Sequence, residues 1–189
     1  LTFNPHLQRA FLNALTRNAL TIQTDARTLT NSKPKRETKM KSFENAKWIW
    51  ATATPMCDEH AEFYEEIEFY GKEASILISA DSNYSVYVNG YLAAFGQYAD
   101  YPYDKVYDER DISSYMRQGK NVIAIRVWYY GIDSSSTYYP GEAGVIYSIY
   151  ADGVNVRNST AATLSRLSPT YVQHKAKNIT WQLGLTFEY

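Results

Sequence analysis

The chain has 189 residues, 19 Lys+Arg against 20 Asp+Glu, and a formal net charge of −1. That length suits one domain with a tail, large enough to bury a core without covalent staples. The near-neutral balance disfavours a dedicated nucleic-acid binder, the lone Cys57 excludes an internal disulfide, and no apolar run is long enough to span a membrane.

The charge is unevenly spread. Residues 1–39 hold seven basic and two acidic residues, +5, while residues 40–189 hold twelve basic and eighteen acidic, −6. All 18 tyrosines lie beyond residue 63. In the first part, Leu7, Ala10, Phe11, Ala14 and Leu15 follow helical spacing, which predicts a short amphipathic helix over Pro5–Leu20. Asn4 caps it and Pro5 takes its first position. Lys33-Pro34-Lys35-Arg36 reads as a solvated linker or a weak address signal. Residues 1–24 carry Arg and Thr but no acid, as organelle transit peptides do. A docking helix, or sequence extraneous to a domain that begins near Met40, explains them equally well. No signal peptide is evident, and the compartment is open.

From Trp48 onward, short β-rich runs alternate with turn signals. The expected strands are Glu62–Phe69, Ser75–Ala80, Tyr84–Val88, Tyr91–Phe95, Asn121–Tyr130, Gly144–Ala151, Val154–Arg157 and Thr180–Glu188. Such spacing predicts an all-β fold, a jelly-roll-type antiparallel sandwich over residues 40–189 behind the short helical extension 1–39. Asn89-Gly90 and Asp152-Gly153 are hairpin signals, because a type I′ turn needs positive φ at both central residues. In Asn121–Tyr130, Ile123, Ile125, Val127 and Tyr129 share the inner face, and Arg126, Trp128 and Tyr130 the outer. Asp111–Gln118 reads as a helical turn, capped by Asp111 and stopped at Gly119.

No phosphate loop occurs, and His6, His60 and His174 lack metal-ligand spacing. Cys57 reads as a loop cysteine. The acids Asp104, Asp108, Glu109 and Asp111 read as a solvated or capping cluster rather than a catalytic pair, and Glu62, Glu65, Glu66 and Glu68 as a charged strand surface. Asp81-Ser82-Asn83 joins two strands, so its side chains emerge at a sheet rim. There Asp and Asn grip vicinal hydroxyls, ligate Ca²⁺ through oxygen, or form an Asx turn. Tyrosine crowds the 98–107 loop, Trp128-Tyr129-Tyr130-Gly131 and Tyr138-Tyr139. Such rings stack on sugars or form docking surfaces. Single-stranded nucleic acid also stacks on them but needs a cationic groove, which a body at −6 does not offer.

The order of these pieces resembles a known family. Lys47-Trp48-Ile49-Trp50 comes first, then Ile78 to Gly90 (Ile-Ser-Ala-Asp-Ser-Asn-Tyr-Ser-Val-Tyr-Val-Asn-Gly) and Gly96. Tyr103 to Ile112 (Tyr-Asp-Lys-Val-Tyr-Asp-Glu-Arg-Asp-Ile), Gly119 to Gly131 (Gly-Lys-Asn-Val-Ile-Ala-Ile-Arg-Val-Trp-Tyr-Tyr-Gly) and the closing Trp181 to Tyr189 follow. Together, over about residues 45–189, they resemble the N-terminal β-sandwich domain of bacterial α-L-rhamnosidases of glycoside hydrolase family 78. The resemblance implies a non-catalytic jelly-roll domain preceding an (α/α)₆ barrel that holds the acid and base of an inverting hydrolase. Some members carry a related sandwich that binds L-rhamnose with calcium through an Asp-Asn pair. Asp81 matches that Asp, Ser82 stands where the Asn is usual, and Asn83 comes one place later.

The expected role is therefore carbohydrate binding, or bracing of the parent's catalytic domain, with no catalytic residue in this chain, no nucleic acid and no membrane. A stand-alone lectin-like module is the alternative. For an L-rhamnose-containing glycan, Asp81 and Asn83 would bond hydroxyls, Trp128 and Tyr130 would stack, and Tyr103 and Asp104 would reach in from the facing loop. Asp81 is the candidate calcium ligand. Asn83, Asn158 and Asn178 each open a glycosylation sequon, relevant only to a eukaryotic secretory route.

Overall fold

The structure, a computed structural model, describes residues 40–97, 100–133 and 138–174, with the backbone alone of 177–180 and 186–188. The basic extension 1–39 and its expected helix lie outside the described residues. Eleven strands follow in order: β1 (Glu59–Phe69), β2 (Ala74–Asp81), β3 (Asn83–Val88), β4 (Tyr91–Gly96), β5 (Asp108–Asp111), β6 (Gly119–Tyr129), β7 (Gly144–Ala151), β8 (Val154–Asn158), β9 (Leu164–Leu167), β10 (Lys177–Thr180) and β11 (Thr186–Glu188). One sheet runs β4-β3-β6-β1-β9 and a second β5-β2-β7-β8, with every pairing antiparallel. No helix among the described residues is long and apolar enough to cross a membrane.

Alternation builds the core. Phe63 and Ile67 of β1, Val86 and Val88 of β3, and Ile123, Ile125 and Val127 of β6 point inward from the first sheet. Ile76 and Ile78 of β2, with Val145, Tyr147 and Ile149 of β7, meet them from the second. This is the expected β-sandwich, and the β6 faces are those read from the sequence. Tyr129, at the strand's end, is half-buried. Both hairpin turns have positive φ at both central residues, +52° and +86° at Asn89-Gly90 and +47° and +79° at Asp152-Gly153. Before β1, Ile49 exchanges two backbone hydrogen bonds with Val145 and so joins the second sheet.

The two sheets differ on their outer faces. β2 is buried along its whole length, because the 40–44 and 105–107 segments cover it. Lys41 Nζ donates to Ser75 Oγ, Ser79 Oγ donates to the Val106 carbonyl, and Phe43 meets Tyr107 edge to face. The first sheet's outer face exposes Tyr64, Leu92, Phe95 and Leu164. β8 ends the second sheet; Val154 and Val156 are exposed, and a register shift between Ile149 and Tyr150 interrupts its pairing with β7.

Four readings need correction or refinement. Of the expected strand Thr180–Glu188, residues 181–185 lie outside the described residues, and its described ends belong to β10 and β11, which pair antiparallel with each other. The helical turn expected at Asp111–Gln118 is present but shorter, a single 3₁₀ turn at Ser113–Tyr115. The Asn121 side chain accepts from Arg117 N–H and donates to the Arg117 and Gly119 carbonyls, taking groups that a longer helix would use. Asp111 caps the turn locally, its Oδ1 accepting from Ser113 N–H at 2.8 Å, and Gly119 takes φ +87°. Glu65 is not on the charged surface: it shares the inward side with Phe63 and Ile67, and its carboxylate accepts from Tyr147 Oη at 2.6 Å and Thr163 Oγ1 at 3.1 Å. Finally, β5 and β9 were not expected at all.

Candidate functional site

β2 ends at Asp81, β3 begins at Asn83 and β6 ends at Tyr129, so three strand ends meet at one rim. Asn83 lies opposite Trp128 in the β3–β6 register. The 100–107 segment and the 138–143 segment close over this end.

Asp81 is the hub. Oδ1 accepts from Tyr138 Oη at 2.5 Å and Ser82 Oγ at 2.8 Å, while Oδ2 accepts from Gly141 N–H at 3.2 Å and Lys105 Nζ at 3.3 Å. Its side chain is 2% exposed. Lys105 Nζ also lies 2.6 Å from Asp100 Oδ1. Asp100 Oδ2 in turn accepts from Gln97 Nε2 and Val106 N–H, and Gln97 Oε1 accepts from Ala80 N–H. One relay of charge-assisted bonds thus pins the loop to the end of β2. Burial, and the Asp81 carboxylate that accepts its proton, push the Tyr138 phenol above the ordinary tyrosine range. Gly141 is required by closeness: a Cβ there would stand 2.6 Å from Asp81 Oδ2.

Asp81 therefore does not present a free carboxylate. Calcium does not fit it either, because Oδ2 already faces an ammonium group where a cation would have to stand. Among the described residues no three His, Cys, Asp or Glu side chains gather into a metal-ligand set. Ser82, in the place of the family's usual Asn, serves the turn; its N–H donates to the Trp128 carbonyl and its Oγ accepts from Tyr130 N–H.

Trp128 and Tyr130 belong to a row of rings along the same rim. Trp128 lies parallel to His60 at 5.2 Å and edge-on to Tyr130 at 4.5 Å; Tyr130 meets Tyr138 edge-on at 5.2 Å. The Trp128 indole N–H donates to Asp58 Oδ1 at 3.0 Å. His60 is sandwiched between Trp128 and Tyr171, the latter 4.1 Å away. It is 4% exposed, and neither ring nitrogen has a hydrogen-bond partner. Desolvation, opposed by Asp58 and aided by Arg126, lowers its pKa to about 4, so the ring is neutral.

Tyr103 and Asp104 sit on the loop that Lys105 ties to Asp81. Tyr103 is 85% exposed and stacks on Tyr101 at 5.4 Å; Tyr101 stacks on Tyr139 at 5.4 Å. The Asp104 N–H closes a tight turn onto the Tyr101 carbonyl, leaving its carboxylate exposed. Beside this ladder lies a cleft of about 650 Å³ whose walls include Trp48, Asp81, Pro102, Lys105, Pro140 and Glu142. Sequence reasoning did not single out Trp48 or Lys105. The signal for Trp48 is Gly144, whose missing Cβ leaves room for the indole, since a Cβ there would stand 2.9 Å from the ring. The remaining acids have structural partners: Asp108 accepts from Tyr84 Oη and pairs with Arg110, Glu109 pairs with Lys41, and Asp111 caps its turn. Cys57 is an exposed loop residue.

No protein-family model and no curated protein matches the chain. Among solved structures it is similar to the glycoside hydrolase family 78 rhamnosidase of Bacillus sp. GL1, with 31% identity and a TM-score of 0.60 over 65% of this chain and 13% of that one. It is similar in fold to the Streptomyces avermitilis α-L-rhamnosidase complexed with L-rhamnose, with 20% identity and a TM-score of 0.53 over 71% of this chain and 13% of that one. The Pleurotus ostreatus lectin aligns at 25% identity with a TM-score of 0.52, over 68% of this chain and 36% of that one. The chain thus spans about one eighth of these rhamnosidases, the length of a single domain within them, as the sequence motifs implied.

Proposed function

We propose that this chain is a non-catalytic carbohydrate-binding β-sandwich belonging to a larger α-L-rhamnosidase-like glycoside hydrolase. The observation that carries the reading is the exposed Tyr103–Tyr101–Tyr139 ladder beside a cleft walled by Trp48, Lys105 and Glu142. Flat rings cover the apolar face of a sugar, and charged groups at the edge bond its hydroxyls. In this reading Tyr103 stacks on the sugar, and Asp104 and Asn83 accept or donate to hydroxyls. Trp128 and Tyr130 belong to the neighbouring row of rings rather than to the cleft wall, and Asp81 holds the loop in place. The similarity to the Bacillus rhamnosidase and to a lectin supports a saccharide as the ligand class, and L-rhamnose is the sugar to try first.

Calorimetric titration with L-rhamnose, with and without Ca²⁺, is the test. Binding should saturate at millimolar sugar and be indifferent to calcium. Tyr103→Ala should weaken it by about tenfold, the loss of one stacking ring, with unchanged thermal stability because the ring is 85% exposed. No heat at millimolar sugar would remove the binding role and leave the domain as a brace for the catalytic barrel of its parent.

A further inference from the structure

The outer face of the first sheet carries a second constellation, which shares no lining residue with the rim cleft. A groove of about 440 Å³ runs across β1, β3, β6 and β9, lined by Glu62, Tyr64, Tyr87, Arg126, Leu164 and Arg166. The charges in it do not balance. Glu62 stands directly opposite Arg126 in the β1–β6 register, yet its oxygens are taken elsewhere. Oε2 accepts from Arg166 Nε at 2.9 Å and lies 2.8 Å from its NH2, while Oε1 accepts from Ser168 Oγ at 2.6 Å.

Arg126 is left with aromatic partners. Its NH1 donates to Tyr171 Oη at 2.6 Å, and its guanidinium carbon lies 4.9 Å from the Tyr171 ring centre and 6.0 Å from that of Tyr87. Among the described residues no carboxylate lies within ion-pair distance of it. A half-buried guanidinium without an anion, in a body whose net charge is −6, is an unusual use of a cation. Its Nε and NH2 donors form a planar fork suited to one carboxylate. Beside it, the rings of Tyr64 and Tyr87 and the 68%-exposed Leu164 offer the flat apolar surface that a pyranose covers.

We infer that this groove binds a carboxylate-bearing sugar, a uronic acid residue of a glycan, with Arg126 holding the carboxylate and Tyr87 and Tyr64 holding the ring. A singly charged carboxylate matches the one uncompensated cation, since Arg166 is already neutralised by Glu62. The groove, about 440 Å³, has the volume of one or two sugar units. This site stands independently of the rim reading, which concerns a neutral sugar at the other constellation.

The test titrates the full chain with D-glucuronate, its methyl ester and D-glucose near neutral pH. Glucuronate should bind, and the uncharged ester and glucose about tenfold more weakly or worse, the discrimination of one charge-assisted pair. Arg126→Lys, which keeps the charge but loses the fork, should cost about tenfold, and Arg126→Gln should abolish the preference for acid over ester. Saturating L-rhamnose should leave glucuronate affinity unchanged, so that failure of rhamnose to bind removes the rim reading alone. Equal affinity for glucuronate and glucose, or a folded Arg126→Lys protein that binds glucuronate as tightly as the wild type, would overturn the inference. So would no glucuronate binding by the intact chain.

Discussion

Asp81 and His60 sit near the same rim, and both are titratable side chains almost wholly removed from water, 2% and 4% exposed. Asp81 is surrounded by four donors from three separate segments, whereas both nitrogens of His60 are left without a hydrogen-bond partner between two aromatic rings. A carboxylate survives burial only when donors replace its water. An imidazole survives by giving up its proton and behaving as one more flat ring. The first solution fixes loop geometry; the second supplies packing and makes stability depend on pH.

That contrast can be broken most forcefully at the hub. Asp81→Ala strands the Tyr138 hydroxyl and one side of Lys105, and should cost about 4 kcal/mol, the scale for removing one partner of a buried pair. The urea midpoint measures it, and a loss below about 1 kcal/mol would show the knot to be no stronger than a surface ion pair. The His60 effect should be next in size. Its folded pKa of about 4 lies below the ordinary 6.5, so the unfolded chain takes up a proton first as pH falls. Stability is therefore full above pH 6.5, drains away between 6.5 and about 4, and levels off below, with up to about 3 kcal/mol at stake. His60→Phe keeps the ring stack and should flatten the pH profile over that window relative to the wild type; identical profiles would place the proton elsewhere. The smallest effect tests only the fit around Asp81. Gly141→Ala sets a methyl group 2.6 Å from Oδ2 and should cost about 1–2 kcal/mol through a forced shift of the 138–143 segment. Denaturation read alongside Lys105 chemical shifts would detect that shift.

Much of the framework was legible because it rests on local rules. Alternation in β6 placed Ile123, Ile125 and Val127 inside, and the Asn-Gly and Asp-Gly pairs placed two hairpins. β5 was hidden because Asp108-Glu109-Arg110-Asp111 is wholly charged; only its pairing with β2 makes it a strand. Glu65 was misread for the converse reason, since its partner Tyr147 lies 82 residues away. At the site, the placing of Asp81-Ser82-Asn83 between two strands was legible, and the register that sets Asn83 opposite Trp128 was not. Which of them would be covered was not legible. That depends on Lys105, Tyr138 and Gly141 folding back from distant loops, and no spacing in the chain announces it.

β8 has a consequence for how copies of this molecule meet. A terminal strand with exposed Val154 and Val156 invites a sister strand to zip onto its open backbone, the first step of aggregation. Three features blunt that invitation: the bulge beside Tyr150, the Arg157 side chain drawn across to Glu65 and the Glu66 carbonyl, and the Asn155–Asn158 amide clasp. The sandwich thus guards this margin with a kink, a tethered cation and a self-satisfied amide pair.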